Sequence, residues 1–234
     1  RWTDALITVN KEDYRFAKRH LKAGRIFYIP GIGIKSAVEC KASARNECRR
    51  KYHIPQDAVL LLSVGELSRR KNHQLVIKAL AELGRTDICY VICGQGALKH
   101  RLMRQAEALG ISRQIRMPGF VEHVGDFYQA ADLFVFPSLQ EGLPVALLEA
   151  MAAGLACVVS DIRGNRELIG ALPGQMPGGI LYPPENKKQL LKALQQLMED
   201  KELRAAYGKR NREKAKQYDK QAVLRRMYRI YALF

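Results

Sequence analysis

Two glutamates, Glu141 and Glu149, are separated by seven residues in a segment that predicts the start of a helix. Pro144 suits the first helical position and Gly154 suits the end, so Glu141 precedes the helix and Glu149 lies inside it. The residues three and four positions from Glu149 are small and apolar, and a carboxylate buried among them without a partner is costly. A ligand with hydroxyl donors, such as a ribose, would satisfy this carboxylate; the alternative is that Glu149 faces water.

Three consecutive cations, Arg69, Arg70 and Lys71, follow one predicted strand and precede a helix. They would neutralise a phosphate group held at the helix N-terminus, although such a run is also typical of a solvated basic loop. The turn at 94–96 resembles the start of a dinucleotide fingerprint but lacks its third glycine, so it also fits a tight strand-to-helix turn. Phe120, in the next loop, would either stack on a base or cover the core.

These loops lie within a regular alternation of predicted strands and helices. Short apolar runs bounded by turn residues predict strands at 59–64, 88–93, 115–117, 133–136, 156–160 and 180–182. Helical patterns follow at 74–83, 98–109, 124–131, 145–153 and 187–200, and two more helices, at 201–217 and 220–233, close the chain. The pattern indicates an α/β fold: a Rossmann-like parallel sheet with helices on both faces, followed by C-terminal helices. Ligands of such sheets bind beyond the carboxyl ends of the strands.

The first 50 residues do not follow this alternation. A strand at 5–9, a helix at 12–22 and an extended run at 26–29 lead into a turn-rich segment, and a basic helix follows at 45–52. We interpret residues 1–33 as the tail of a preceding domain together with a linker.

Composition excludes several classes of protein. Of 234 residues, 47% are hydrophobic and 26% charged, which is unlike a disordered, collagenous or disulfide-scaffold chain. No apolar run reaches the roughly 18 residues of a membrane span. The five cysteines form no C-x-x-C pair, so a zinc or thioredoxin-type site is not indicated, and Cys89, Cys93 and Cys157 are predicted to be buried.

The formal charge of +16 is concentrated near the C-terminus, where residues 201–229 hold eleven Lys and Arg against three acidic residues. Such a surface favours anionic partners, namely nucleic acid, anionic lipid or a phosphorylated substrate. The alternative is a solvated helix face.

The segment from Glu141-Gly142 to Glu149-Ala150-Met151-Ala152 resembles the E-x7-E signature of retaining glycosyltransferases of family 4. The 65–71 loop, the 94–96 turn, Gly119-Phe120-Val121 and the 131–138 segment match in the same order, and the resemblance spans residues 26–185. The variant of the first loop is similar to the branch that builds bacterial capsular and exopolysaccharides.

The resemblance implies a GT-B fold, which consists of two Rossmann-like domains, and identifies this chain with the C-terminal half. Residues 34–217 would then form the donor-binding domain. Residues 1–33 would be the tail of the N-terminal acceptor domain plus a linker, and residues 218–234 a helix that packs toward that domain. Without the rest of the acceptor domain, the chain alone is expected to transfer sugar poorly or not at all.

The resemblance also assigns roles to residues. Glu149 would bind the ribose hydroxyls, and Glu141 and Lys71 would be the catalytic pair, Glu141 at the donor sugar and Lys71 at the diphosphate. The remaining positions would supply backbone amides for the diphosphate (Gly142, Leu143 and Val145), backbone groups for the base (Phe120 and Val121) and further donor contacts (Gly65, Glu66, Arg70, Gly94 and Ser138).

Two positions depart from the family pattern. Glu66 stands where the family often has Arg, so one diphosphate cation is missing unless Arg69 or Arg70 replaces it. Pro144 interrupts the usual Gly-Phe-Gly and removes one N–H donor from the phosphate cradle.

The expected reaction is transfer of a sugar, with retention, from a nucleoside-diphosphate sugar to a glycan or lipid-linked acceptor in cell-surface polysaccharide biosynthesis. We expect a UDP-sugar, no cofactor and no metal, since a lysine and a helix N-terminus can stabilise the leaving diphosphate. His73 and His123 are predicted to be surface residues. The expected location is cytoplasmic, with peripheral contact at the inner face of the membrane.

Two alternatives remain at this point. One is a sugar-nucleotide epimerase on the same fold, which would act on the donor without an acceptor. The other, less favoured, is a basic nucleic-acid-binding protein, because the cations are not interleaved with stacking aromatic residues.

Overall fold

The computed structural model describes residues 3–35, 42–171 and 174–234. The strands are β1 (Ala5–Thr8), β2 (Arg25–Tyr28), β3 (Val59–Val64), β4 (Ile88–Cys93), β5 (Ile115–Gly119), β6 (Leu133–Phe136), β7 (Ala156–Ser160) and β8 (Gly179–Tyr182). The helices are α1 (Lys11–His20), α2 (Ala42–Lys51), α3 (His73–Leu83), α4 (Lys99–Ala108), α5 (Gly125–Ala130), α6 (Val145–Ala152), α7 (Arg163–Ile169), α8 (Lys187–Glu199), α9 (Lys201–Ala215) and α10 (Lys220–Tyr231). Two short 3-10 turns cover Ser112–Gln114 and Lys216–Tyr218.

Six strands form one parallel sheet in the order β5-β4-β3-β6-β7-β8. Leu60 and Leu62 of β3 face the layer that contains α2, α5 and α6, whereas Leu61 faces α3, α4 and α8. Every residue of β4, β6 and β7 is buried, as expected for strands covered on both sides. The predicted Rossmann-like sheet with helices on both faces is confirmed.

The strand order reverses between β3 and β6. The chain runs outward from β3 through β4 to β5, then returns to β6 on the other side of β3. The loops that follow β3 and β6 are therefore adjacent, and the amide of Leu139 donates to the carbonyl oxygen of Arg70 at 2.8 Å. This switch in strand order is where α/β sheets bind their ligands.

Helix α7 was absent from the sequence-based prediction. It has seven residues and begins Arg163-Gly164-Asn165, a poor start because glycine lowers helix propensity. Tertiary packing requires this glycine, since a Cβ at Gly164 would lie 2.5 Å from the carbonyl oxygen of Gly142.

The N-terminal β1–α1–β2 unit forms a separate two-stranded parallel sheet. It is held on α7: the Glu167 carboxylate accepts from the Lys11 amide at 2.7 Å and from the Tyr28 hydroxyl at 2.9 Å. Arg163 pairs with Asp13 at 2.7 Å. The assignment of residues 1–33 to a preceding acceptor domain stays a prediction, as do the boundaries at 34–217 and 218–234.

The basic helix α2 contributes a completely buried cation, Arg49. Its guanidinium donates to the Asp132 carboxylate at 2.9 Å and to the carbonyl oxygens of Ala130 and Ala58. Asp132 also accepts from the Leu60 amide at 2.8 Å, so this ion pair ties α2 to the starts of β3 and β6.

Four cations of α9 bind the C-terminal ends of other helices. Arg204 donates to the Leu197 carbonyl of α8 at 2.6 Å, Arg210 to the Leu168 carbonyl of α7 at 2.7 Å and Arg212 to the Ala153 carbonyl after α6 at 3.1 Å. The fourth, Lys214, donates to the Glu167 carbonyl. The interpretation as a solvated face is therefore wrong for Arg204, Arg210 and Lys214, which are partly buried against terminal carbonyls, whereas Arg212 donates to such a carbonyl and is exposed. The interpretation of the basic stretch as a partner surface stays a prediction.

The described cysteines Cys48, Cys89, Cys93 and Cys157 are free and buried, as predicted for the last three, while Cys40 lies outside the described residues. Within the described ranges, no helix combines the length and apolarity that a membrane span requires.

Candidate functional site

The two glycines after β3 and β4 allow two loops to meet. Gly94 has φ of 154°, and a Cβ there would collide with the carbonyl oxygen of Gly65. The amide of Gly65 donates to the carbonyl oxygen of Cys93 at 2.9 Å, and the amide of Gly94 donates to the carbonyl oxygen of Gly119 at 2.8 Å. A Cβ at Gly96 would lie 2.5 Å from the Leu67 carbonyl oxygen. Close backbone packing thus accounts for both glycines of the 94–96 turn.

Beside Gly65, two cations share one carboxylate oxygen. Lys71 Nζ lies 2.7 Å and Arg70 Nη1 lies 2.9 Å from Glu141 Oε1. The side chains of Lys71 and Glu141 are only 11% and 10% exposed. The Lys71 chain packs on Gly65, where a Cβ would lie 3.1 Å from Lys71 Cε, and its ammonium sits 4.7 Å from the Phe136 ring centre. Two positive charges and one negative charge give this cluster a net charge of +1, so one further negative charge would make it neutral.

The three consecutive cations of the first loop therefore differ in position. Arg70 and Lys71 both pair with Glu141, although the Arg70 side chain is 45% exposed, and Arg69 is exposed as well. Glu66 is exposed as well. Of the two cations considered as a replacement for the family's Arg at position 66, Arg70 is the one in the cluster.

Buried polar atoms without a partner are concentrated in the loops that follow β3 and β6 and at the first residue of α3. Of seven such side-chain atoms in the described part of the chain, four belong to Ser68, Asn72, His73 and Ser138. Buried polar groups in native proteins are nearly always hydrogen-bonded, so such a cluster indicates a bound ligand, ion or water.

The N-terminus of α6 lies at the end of the second loop. Pro144 is its N-cap residue and provides no side-chain cap, so the first amides of the helix are available to a ligand. Leu143 packs against Gly31, and the carbonyl oxygen of Gly142 accepts from Asn10 at 3.4 Å. Val145 begins the helix and packs partly on the core.

Glu149 is half-buried and has a partner that its own helix does not supply. The Tyr128 hydroxyl of α5 donates to Glu149 Oε2 at 3.0 Å. Burial raises the pKa of Glu149, and the bond from Tyr128 offsets part of this rise. Glu149 is therefore only partly exposed to solvent and has one side-chain partner, and its role toward a ribose stays a prediction. Tyr128 was missed because it precedes Glu149 by 21 residues and no local spacing links the two.

His73 is buried, so its prediction as a surface residue is wrong; His123 is exposed as predicted. His73 Nδ1 lies 3.2 Å from the Tyr90 hydroxyl, which lies 2.8 Å from Ser63 Oγ. Burial lowers the pKa of His73 to about 4, so the ring is neutral near pH 7. It anchors the start of α3, two residues after Lys71.

Phe120 is 74% exposed and does not cover the core, which excludes that interpretation. Val121 beside it packs partly against the core. An exposed aromatic ring after β5 is therefore available at the carboxyl edge of the sheet.

A cavity of about 500 Å³ adjoins Glu141 on the side of α7. It is lined by Glu12, Leu139, Gln140, Glu141, Ile162, Arg163 and Arg166. Among the described residues, no group of three or more His, Cys, Asp or Glu side chains is arranged to hold a metal ion.

Residues 44–214 match the model of the glycosyl transferases group 1 family. The chain belongs to this family. It is 31% identical over 238 residues to the putative glycosyltransferase EpsD of Bacillus subtilis, covering 100% of this chain and 61% of that protein. It is 34% identical over 166 residues to N-acetylgalactosamine-N,N'-diacetylbacillosaminyl-diphospho-undecaprenol 4-alpha-N-acetylgalactosaminyltransferase of Campylobacter jejuni. This match covers 70% of this chain and 44% of that protein. The chain thus spans about half the length of these relatives.

The fold is also that of solved glycosyltransferases. Anabaena HepE in complex with UDP-glucose superposes with a TM-score of 0.88 at 18% identity, over 100% of this chain and 65% of HepE. WaaG, a glycosyltransferase involved in lipopolysaccharide biosynthesis, superposes with a TM-score of 0.78 at 24% identity, over 96% of this chain and 62% of WaaG. The predicted family and fold are confirmed, and these matches support neither the epimerase nor the nucleic-acid-binding alternative.

Proposed function

We propose that this chain is the donor-binding half of a metal-independent, retaining glycosyltransferase that uses a UDP-sugar. The observation that carries the proposal is the cluster of Lys71, Arg70 and Glu141 at the switch in strand order. This cluster lacks one negative charge, and the loops around it hold buried polar atoms without partners. A diphosphate supplies both the charge and the acceptor oxygens.

The reaction follows from the same charges. When the bond between the sugar and the diphosphate breaks, negative charge grows on the leaving nucleoside diphosphate. Lys71 and Arg70, with the amides at the start of α6, stabilise this charge where it develops. Glu141 pairs with these cations and also lines the cavity, which supports a role for its carboxylate at the donor sugar.

The nucleoside would lie along α6. The half-buried Glu149 carboxylate has the charge and the partial burial needed to bind ribose hydroxyls strongly. The exposed ring of Phe120 and the adjacent backbone of Val121 are available to the base. The choice of UDP draws support from the fold neighbour HepE, which was solved with UDP-glucose.

We extend the proposal to the longer protein. Its acceptor would be a glycan or lipid-linked glycan in cell-surface polysaccharide biosynthesis, held by an N-terminal domain. Donor and acceptor must be held together for transfer, so this chain alone would bind UDP but transfer sugar poorly.

The proposed location is the cytoplasm, with peripheral contact at the inner face of the membrane. Arg225, Arg226 and Arg229 are exposed on α10 beside the exposed Tyr228 and Tyr231. Basic residues near an anionic bilayer contribute about 1 kcal/mol each. Unchanged liposome binding after reversal of these three charges would assign α10 to another surface, such as the N-terminal domain.

Calorimetric titration with UDP, GDP and ADP tests the function, with and without EDTA. We expect UDP to bind most tightly, to an equal degree with EDTA present. At 100 times its dissociation constant, UDP should stabilise the chain by about 2.7 kcal/mol. Preference for GDP would overturn the choice of nucleotide, and loss of binding in EDTA would overturn metal independence.

A further inference from the structure

Tyr128 is a buried tyrosine whose hydroxyl reaches α6 from a neighbouring helix. The residue is 4% exposed, and its hydroxyl lies 3.0 Å from Glu149 Oε2 and 3.1 Å from the carbonyl oxygen of Ala146. Its ring centre lies 5.9 Å from that of Phe134 in β6. The ring is therefore fixed by the core, and the position of the hydroxyl is fixed with it.

The Tyr128 hydroxyl has one proton and two acceptors within reach, Glu149 Oε2 at 3.0 Å and the Ala146 carbonyl oxygen at 3.1 Å. A carboxylate oxygen is the stronger acceptor, so the bond to Oε2 is favoured and holds the carboxylate in one orientation. Oε1 accepts no hydrogen bond within the described part of the chain. Burial and the nearby Glu149 charge keep the pKa of Tyr128 well above its usual value. The hydroxyl therefore keeps its proton and acts as a donor to the carboxylate. The arrangement presents a charged acceptor oxygen in a preset direction.

Packing alone does not require this hydroxyl. The adjacent Phe127 fills the same core with an unsubstituted ring, and a buried hydroxyl is costly unless it is hydrogen-bonded. The bond to Glu149 also favours the ionised carboxylate on a face that otherwise disfavours charge. The hydroxyl thus favours the negative charge of Glu149, and this charge strengthens hydrogen bonds from ribose hydroxyls.

We propose that Tyr128 is a positioning residue for ribose recognition. It orients the Glu149 carboxylate so that the carboxylate accepts from the hydroxyls of the nucleotide ribose. Tyr128 itself does not touch the ligand. The inference rests on the proposed role of Glu149 as the ribose ligand.

The test compares two ligands on the same protein sample: UDP, and 2′,3′-dideoxy-UDP, which lacks both ribose hydroxyls. The variant is Tyr128→Phe, which removes one oxygen and keeps the ring. We expect its affinity for UDP to fall about 3- to 10-fold, the range for one hydrogen bond, with its affinity for the dideoxy nucleotide unchanged. Because both ligands meet the same fold, a general loss of folded protein cancels in the ratio of the two affinities.

A matched control is Tyr182→Phe, which also removes a buried hydroxyl, but one without a hydrogen-bond partner. It should leave the ratio unchanged. In a Glu149→Gln background, Tyr128→Phe should cause little further loss of UDP affinity, because the charged group that it positions is gone.

Each outcome has a separate meaning. Equal losses for both ligands, or an unchanged UDP affinity, would overturn the role of Tyr128 and leave that of Glu149 intact. If the unaltered protein binds UDP and dideoxy-UDP equally, Glu149 does not bind the ribose, and the proposed site fails together with this inference.

Discussion

Replacing each glutamate of the pair with glutamine should change UDP affinity in opposite directions. Glu141 Oε1 lies 2.7 Å from the Lys71 ammonium and 2.9 Å from the Arg70 guanidinium. A diphosphate that binds the same cations would meet the Glu141 charge at close range. Glu149 has no cation beside it and accepts only from the Tyr128 hydroxyl among the described bonds.

The magnitudes follow from these contacts. Two unit charges about 4 Å apart repel by roughly 1 kcal/mol in water and by more in a drier site. Glu141→Gln removes this repulsion, so UDP should bind about 5-fold tighter or better. Glu149→Gln removes the charge from bonds to the ribose hydroxyls, which contribute roughly 1.5–3 kcal/mol, so UDP affinity should fall about 10- to 150-fold.

Isothermal titration with UDP at two salt concentrations decides between these directions. Glu107→Gln is a matched control, because it removes one exposed negative charge from α4, outside the two loops. Turnover of the longer protein should fall with Glu141→Gln in spite of tighter UDP binding, as expected for a group that acts on the sugar. Equal losses of UDP affinity in both variants would refute this division of roles.

Two predictions concern stability. His73 has a pKa of about 4 in the folded protein against 6.5 in the unfolded chain, so the unfolded chain binds more protons between these pH values. The free energy of unfolding should therefore fall by up to about 3 kcal/mol as the pH drops from 6.5 to 4. Urea titrations at both pH values should show a smaller fall for His73→Gln. Arg210→Met should destabilise the fold by about 1–3 kcal/mol, because the carbonyl oxygens of Leu168 and Gly170 lose their donor. The exposed Lys209→Met makes the same charge change and should leave the urea midpoint nearly unaltered; equal shifts would mean that net charge, not capping, is responsible.

Local pattern was sufficient for the sheet and for most helices. A buried parallel strand is a continuous apolar run, and the turn residues at its ends are local as well, so all six strands of the main sheet were predicted. Helix α7 was not, because its glycine disfavours a helix and only the contact with Gly142 explains it. The residue types of the site, paired glutamates and a lysine after a strand, were also visible in the sequence.

The segments of the proposed site, namely the loop before α3, the loop before α6 and the two glutamates, could be predicted from local sequence. The partners of these residues could not, because they depend on the tertiary structure. Lys71 meets Glu141 because the strand order reverses between β3 and β6, and Tyr128 meets Glu149 because α5 packs beside α6. The cations of α9 cap helices that precede them by 7 to 59 residues. Spacing along a chain encodes neighbours on one helix or strand, whereas these contacts depend on how separate elements pack.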